Sequence, residues 1–118
     1  MSAESIDALV VGAGPAGLMA ATVLARAGRH VVLTEAKPSV GRKFLMAGKS
    51  GLNLTKDEPL ADFLCQFPDL APQLRQAVTD FDPSAVQDWA RELGQEIFTG
   101  SSGRVFPTAM KASPLLRA

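Results

Sequence analysis

One stretch of the sequence decides the fold: Ile6-Asp7-Ala8-Leu9-Val10-Val11-Gly12-Ala13-Gly14-Pro15-Ala16-Gly17. Its first half is an apolar run typical of a strand, and its second half spaces three glycines as G-x-G-x-x-G. The apolar segment from Leu18 to Leu24 follows directly and predicts a helix. The stretch therefore predicts a strand, a tight turn and a helix in immediate succession.

A second strand is predicted at Val31–Thr34, and an acidic residue, Glu35, follows its carboxyl end. This strand–helix–strand order with a terminal acid is the sequence pattern of a dinucleotide site. Glu35 would accept hydrogen bonds from ribose hydroxyls, and its charge would repel a 2′-phosphate. The pattern thus favours adenosine with a free 2′-hydroxyl. The alternative is a glycine-rich turn that binds no ligand.

Each glycine has a predicted role. Gly12 permits the tight turn, Gly14 lets a pyrophosphate approach the backbone, and Gly17 lets the helix pack closely on the strands. The unpaired N–H groups at the start of the helix, aided by its dipole, would face the anion.

The composition excludes several classes of function. The 118 residues are 47% hydrophobic and carry twelve basic and twelve acidic side chains, so neither disorder nor a polyanionic partner is indicated. No basic block with interleaved aromatics predicts a nucleic-acid partner, and no apolar run predicts a membrane span. Cys65 is the only cysteine, so we expect a cytoplasmic protein without an internal disulfide. A flavin-linked disulfide reductase, which needs a cysteine pair, is excluded.

The rest of the chain reads as helices and a hairpin. Asp82 and Gly94 mark the start and end of the clearest helix, and Glu58 or Asp57 is expected to cap an earlier helix that begins at Pro59. The predicted segments are a strand–helix–strand core over 5–36, a loop over 37–58, a helical region over 59–94, a hairpin over 95–107 and the start of a helix over 110–118. The fold class is α/β, and the sheet is incomplete because a doubly wound fold has about five or six strands. We expect the N-terminal piece of a longer protein.

A second motif is more specific than the glycines. It is Gly41-Arg42-Lys43-Phe44-Leu45-Met46-Ala47-Gly48-Lys49-Ser50-Gly51-Leu52-Asn53-Leu54-Thr55, and it is accompanied by Gly103-Arg104-Val105-Phe106-Pro107. Together with the glycine pattern, these segments resemble the BaiN/RdsA-type family of NAD(P)/FAD-dependent oxidoreductases, also called YhiN-like flavoproteins.

The resemblance implies that the chain is the N-terminal portion of a Rossmann-like FAD-binding domain, followed in the full protein by a substrate-side domain and a return to the FAD fold. It also implies cofactor-binding residues. These are Gly12, Gly14, Ala16 and Gly17 for the pyrophosphate, Glu35 and Ala36 for the adenosine ribose, Arg42 and Lys43 for the phosphates or ribose, and Gly48, Gly51, Asn53 and Leu54 for the flavin.

The residue types in the segment 41–55 are also suited to contact with a flavin. Backbone N–H groups, Lys43, Lys49 or Asn53 aimed at the N1–C2 edge of a flavin would raise its reduction potential. The alternative is a solvated basic loop in which Thr55 and Glu58 form a capping box for the next helix.

The expected function is an FAD-dependent oxidoreductase that transfers hydride between NAD(P)H, flavin and an unidentified small organic substrate. No catalytic side chain and no metal ligand are predicted, since the cofactor carries the chemistry. An NAD-binding dehydrogenase and a non-catalytic dinucleotide-binding module remain as alternatives.

Overall fold

The computed structural model describes residues 3–118, which form two compact units. The first unit ends at Met46, and the second runs from Ala47 to Ala118. The elements up to the boundary are β1 (Ala8–Val11), α1 (Pro15–Arg26), β2 (Val31–Thr34) and α2 (Arg42–Ala47). Those after it are β3 (Thr55–Lys56), α3 (Leu60–Leu64), α4 (Pro72–Asp80), α5 (Pro83–Glu92), β4 (Ile97–Thr99), β5 (Arg104–Pro107) and α6 (Ala112–Arg117).

The first unit is a parallel strand–helix–strand. β1 and β2 pair in register from Ala8 opposite Val31 to Val11 opposite Thr34, and α1 packs on both strands. The predicted α/β fold with a parallel strand–helix–strand core is confirmed. Because side chains alternate along a strand, Val10 faces α1, while Leu9 lies on the opposite face and is 56% exposed.

The ends of α1 follow from its sequence. Gly14 is the N-cap residue and Pro15, whose missing N–H costs nothing in a first turn, begins the helix. At the other end Gly28 has a φ of +77°, a backbone conformation that favours glycine. Gly14 and Gly28 therefore mark the two ends of the helix, and the chain continues from Gly28 into β2.

The second unit contains a three-stranded antiparallel sheet in the order β3-β5-β4. The predicted hairpin is β4 and β5, closed by a hydrogen bond from Gly100 N–H to the Arg104 carbonyl at 2.8 Å. Sequence reasoning missed β3, which pairs Thr55 with Val105, because two residues are too few to show an alternating pattern. The buried apolar residues of this unit include Leu52, Ala90, Val105, Ala112 and Leu115.

Of the two predicted helix caps, one is present and the other is not. Asp82 caps α5 as predicted, with its carboxylate accepting the Ala85 N–H at 2.8 Å. The predicted cap of α3 by Glu58 or Asp57, and with it the capping box, is wrong, because the N-cap residue is Pro59 and no side chain caps the helix. Glu58 instead pairs with Lys56 Nζ at 3.1 Å, and Asp57 accepts a hydrogen bond from Gln87.

Within residues 3–118, none of the helices combines the length and apolar character that a membrane crossing requires.

Candidate dinucleotide site

The turn between β1 and α1, residues 12–17, is called the glycine turn below. Gly12 has a φ of +100°, and its N–H donates to the Thr34 carbonyl at 2.8 Å, which ties the turn to the end of β2. A Cβ on Gly17 would overlap the Gly12 carbonyl oxygen. Both residues are therefore glycine because the turn itself demands it: one for its backbone angle, the other for the close approach of α1.

Gly14 differs from these two glycines. Its φ of −82° and ψ of −176° are accessible to any residue, and a Cβ built on it would meet nothing within 4 Å. Neither backbone angle nor packing within the described chain requires glycine here. The turn leaves an open space over this residue, of the kind that a ligand approaching the backbone would use.

The start of α1 offers free hydrogen-bond donors. In the part of the chain that the structure describes, no protein acceptor takes the N–H groups of Gly14, Ala16 or Gly17. The first turn of α1 carries no acidic side chain that would neutralise its positive end. Three unpaired N–H groups and the helix dipole thus create a local preference for an anion.

The carboxylate of Glu35 lies beside this turn. Its Oε2 accepts the Ala13 N–H at 2.8 Å, and its Oε1 accepts the Lys37 N–H at 3.0 Å. These bonds, that from Lys37 first and that from Ala13 second, lower the pKa of Glu35 below its ordinary value of 4.5. A carboxylate can accept about four hydrogen bonds, so positions remain on both oxygens for hydroxyl donors.

A cleft of about 330 Å³ opens between the glycine turn and the segment after Glu35. Gly41 closes one side of it, because its N–H donates to the Ala13 carbonyl at 2.8 Å. Three basic residues line the cleft: Lys37, Arg42 and Lys43. The volume lies within the range of small-molecule sites, and the basic wall complements a phosphate.

All eight residues predicted for the pyrophosphate, phosphates and ribose lie in the first unit, and half of them line the cleft. The lining residues are Gly14, Glu35, Arg42 and Lys43. Gly12, Ala16 and Gly17 belong to the glycine turn but are not among the lining residues. Ala36, predicted for the ribose, is exposed and is not among the lining residues.

Sequence reasoning gave no role to Ala13 or Gly41, which fix the Glu35 carboxylate and the following loop. It also passed over Lys37. For Gly41, the signal available in the sequence was an isolated glycine within a loop. In the structure its φ is +67°, a conformation that favours glycine.

The residues predicted for the flavin belong to the second unit. A Cβ on Gly48 would lie 2.9 Å from the Ala112 backbone nitrogen, and Gly51 has a φ of +132°. Unlike Gly14, these two glycines have reasons within the chain. Asn53 is exposed, and the Leu54 N–H donates to the Val105 carbonyl at 2.9 Å.

Comparison with known proteins identifies the family of the chain. Residues 6–118 match the family model described as the HI0933-like protein Rossmann domain. The chain is 36% identical over 81 residues to a ribosomal RNA dihydrouridine synthase of Escherichia coli (strain K12), covering 67% of this chain and 20% of that protein. It is 35% identical over 94 residues to the protein of the same name in Haemophilus influenzae, covering 74% and 23%.

A shorter match is to another kind of flavoprotein. The chain is 49% identical over 49 residues to the probable electron transfer flavoprotein-quinone oxidoreductase YdiS of Escherichia coli (strain K12), which covers 42% of this chain and 11% of that protein. The chain spans about a fifth of the length of the two dihydrouridine synthases, 20% and 23%.

Proposed function

The chain belongs to the HI0933-like Rossmann-domain family, and from this premise we propose that it is the FAD-binding N-terminal part of a flavin-dependent oxidoreductase. Family membership confirms the resemblance to BaiN/RdsA-type, YhiN-like proteins that the sequence indicated.

One observation carries the proposal: the open space over Gly14. This residue has neither the positive φ of Gly12 nor the close contact of Gly17, yet it lies among N–H groups that have no acceptor in residues 3–118. A diphosphate would fill the space and accept those hydrogen bonds. The residues present therefore fit a dinucleotide.

Each part of the cleft would act on a different part of the cofactor. Glu35, held ionised by two backbone N–H groups, would accept hydrogen bonds from the adenosine ribose and disfavour a 2′-phosphate. Arg42 and Lys43 would offset the charge of the phosphates. Bound FAD would supply hydride transfer, with NAD(P)H as the proposed electron donor.

Two substrates are candidates. The sequence indicated an unidentified small organic molecule. Two relatives are named ribosomal RNA dihydrouridine synthases, and their names favour the alternative of a uridine base in ribosomal RNA. Measuring NADH or NADPH oxidation by the FAD-loaded protein, with an unmodified ribosomal RNA fragment or with small unsaturated carbonyl compounds, distinguishes the two.

Comparative titration tests the cofactor. We expect calorimetric titrations to show that FAD and ADP both bind the chain. FAD should bind more tightly than NAD. Tight NAD binding without FAD affinity would instead support the dehydrogenase. The non-catalytic module would be supported by two results together: the chain is stable and binds either dinucleotide, and the natural protein that contains it oxidises no NAD(P)H.

A further inference from the structure

Met110 has an unusual backbone conformation. Its φ is +59°, which makes it the one non-glycine residue with a positive φ in residues 3–118. A long side chain disfavours this left-handed region, so the surrounding structure must hold the residue there. Met110 is 38% exposed, so burial of the residue does not account for the conformation.

The neighbours of Met110 show what holds it. Its N–H donates to the Pro107 carbonyl at 2.8 Å, and its own carbonyl accepts the Leu52 N–H at 3.1 Å. Its Cε would lie 2.9 Å from a Cβ on Gly51. Met110 is therefore the point where the chain leaving β5 meets the segment 48–54, which is called the flavin-side loop below.

The contacts also fix the flavin-side loop on both sides of Asn53. The Leu52 N–H donates to Met110, and the Leu54 N–H donates to Val105 at 2.9 Å. Between them, the Asn53 N–H has no protein acceptor within residues 3–118, and Asn53 is exposed. Leu52 is thus held by Met110 and Leu54 by Val105 of β5, and the exposed Asn53 lies between these two fixed points.

We propose that Met110 is a positioning residue: its left-handed backbone aims the carbonyl that fixes Leu52, and so presents Asn53 to the flavin ring. This inference rests on the proposed function, because it assigns the loop to a flavin. Met110 acts through the loop and needs no contact with the cofactor.

Two substitutions separate backbone from side chain. Met110→Asn removes the thioether but tolerates the left-handed conformation, whereas Met110→Val removes it and resists that conformation. We expect the Asn variant to bind FAD within about twofold of the parent chain, and the Val variant to bind about tenfold more weakly, the effect of one lost hydrogen bond. ADP, whose proposed site lies in the first unit, should bind all three proteins equally.

Hydrogen exchange of the Leu52 amide supplies a readout that needs no cofactor. We expect faster exchange in Met110→Val than in Met110→Asn, with circular dichroism showing both variants folded. Equal exchange in the two variants, or equal FAD affinity, would overturn the positioning role. If the parent chain binds ADP but not FAD, the proposed function fails, while the exchange comparison still decides whether Met110 sets the loop.

Discussion

Gly14 and Gly17 lie three positions apart in the sequence, yet their surroundings differ completely. Gly17 faces the Gly12 carbonyl, where no side-chain atom fits, and Gly14 faces open space. The spacing of the glycines was enough to locate the turn from the sequence. The same pattern predicted packing for Gly17 and ligand approach for Gly14. It could not identify the Gly12 carbonyl as the group that excludes a side chain at Gly17, because that contact depends on how the turn folds.

This contrast predicts effects of different size on stability for two matched substitutions. Gly17→Ala should lower the free energy of unfolding by about 1–3 kcal/mol, the usual cost of overpacking, because the obstructing atom is backbone. Gly14→Ala should change stability by less than about 1 kcal/mol, since the Cβ enters empty space at a helix N-cap. Urea unfolding measures both.

Gly14→Ala should weaken ADP binding, although it hardly changes stability. We expect its affinity for ADP to fall at least about tenfold, because the methyl group occupies space needed by the diphosphate. Parent-like ADP affinity in a folded Gly14→Ala variant would count against the pyrophosphate assignment.

Glu35 predicts a pH dependence of stability. Its folded-state pKa lies below the ordinary 4.5, so its hydrogen bonds stabilise the fold fully above that pH and are lost as the pH falls through the folded value. The parent chain should therefore lose thermal stability on acidification more steeply than Glu35→Gln. Thermal unfolding followed from neutral pH to below 4.5 measures this, and parallel curves for the two proteins would show that the carboxylate contributes nothing.

At the scale of elements, helices whose ends carry local signals were the most predictable. α5 begins after Asp82, and its last turn is followed by Gly94 with a φ of +75°. β3 and the uncapped start of α3 escaped prediction for different reasons. β3 depends on pairing with β5, about fifty residues further along the chain, which local spacing does not encode. Glu58 pairs with the neighbouring Lys56 and does not cap α3.

The cap of α5 gives a direct test at this scale. Asp82→Ala should cost about 1 kcal/mol of unfolding free energy, because the Ala85 N–H loses its acceptor. Asp88→Ala, which removes an exposed ion pair with Arg91 on the same helix, should cost less than about 0.5 kcal/mol. Equal losses in the two variants would contradict the assignment of Asp82 as the cap.

At the scale of the whole molecule, the first unit leaves one face of its sheet open. Leu9 and Val11 are 56% and 80% exposed on the face opposite α1, whereas parallel sheets are ordinarily covered on both faces. The fold class was predictable because β1, α1 and β2 are contiguous and each has its own local pattern. The position of the flavin-side loop was not predictable, because residues 52 and 54 hydrogen-bond to residues 110 and 105, far along the chain.

The open face predicts self-association of the isolated chain, because exposed apolar patches associate in water. Replacing Leu9 and Val11 together by Gln should shift the sedimentation profile toward monomer without loss of ADP binding. A matched change at Val23, a single apolar residue of α1 that is 59% exposed, should have a smaller effect.

The central claim is that main-chain amides of the glycine turn hold a diphosphate. It is tested most directly by the amide NMR spectrum of the ¹⁵N-labelled chain during titration with ADP. The account predicts saturable shifts at the N–H groups of Gly14, Ala16 and Gly17, with Glu35→Gln weakening the same titration about tenfold or more. Saturable binding that leaves those three amides unmoved, or no binding at all, would contradict it.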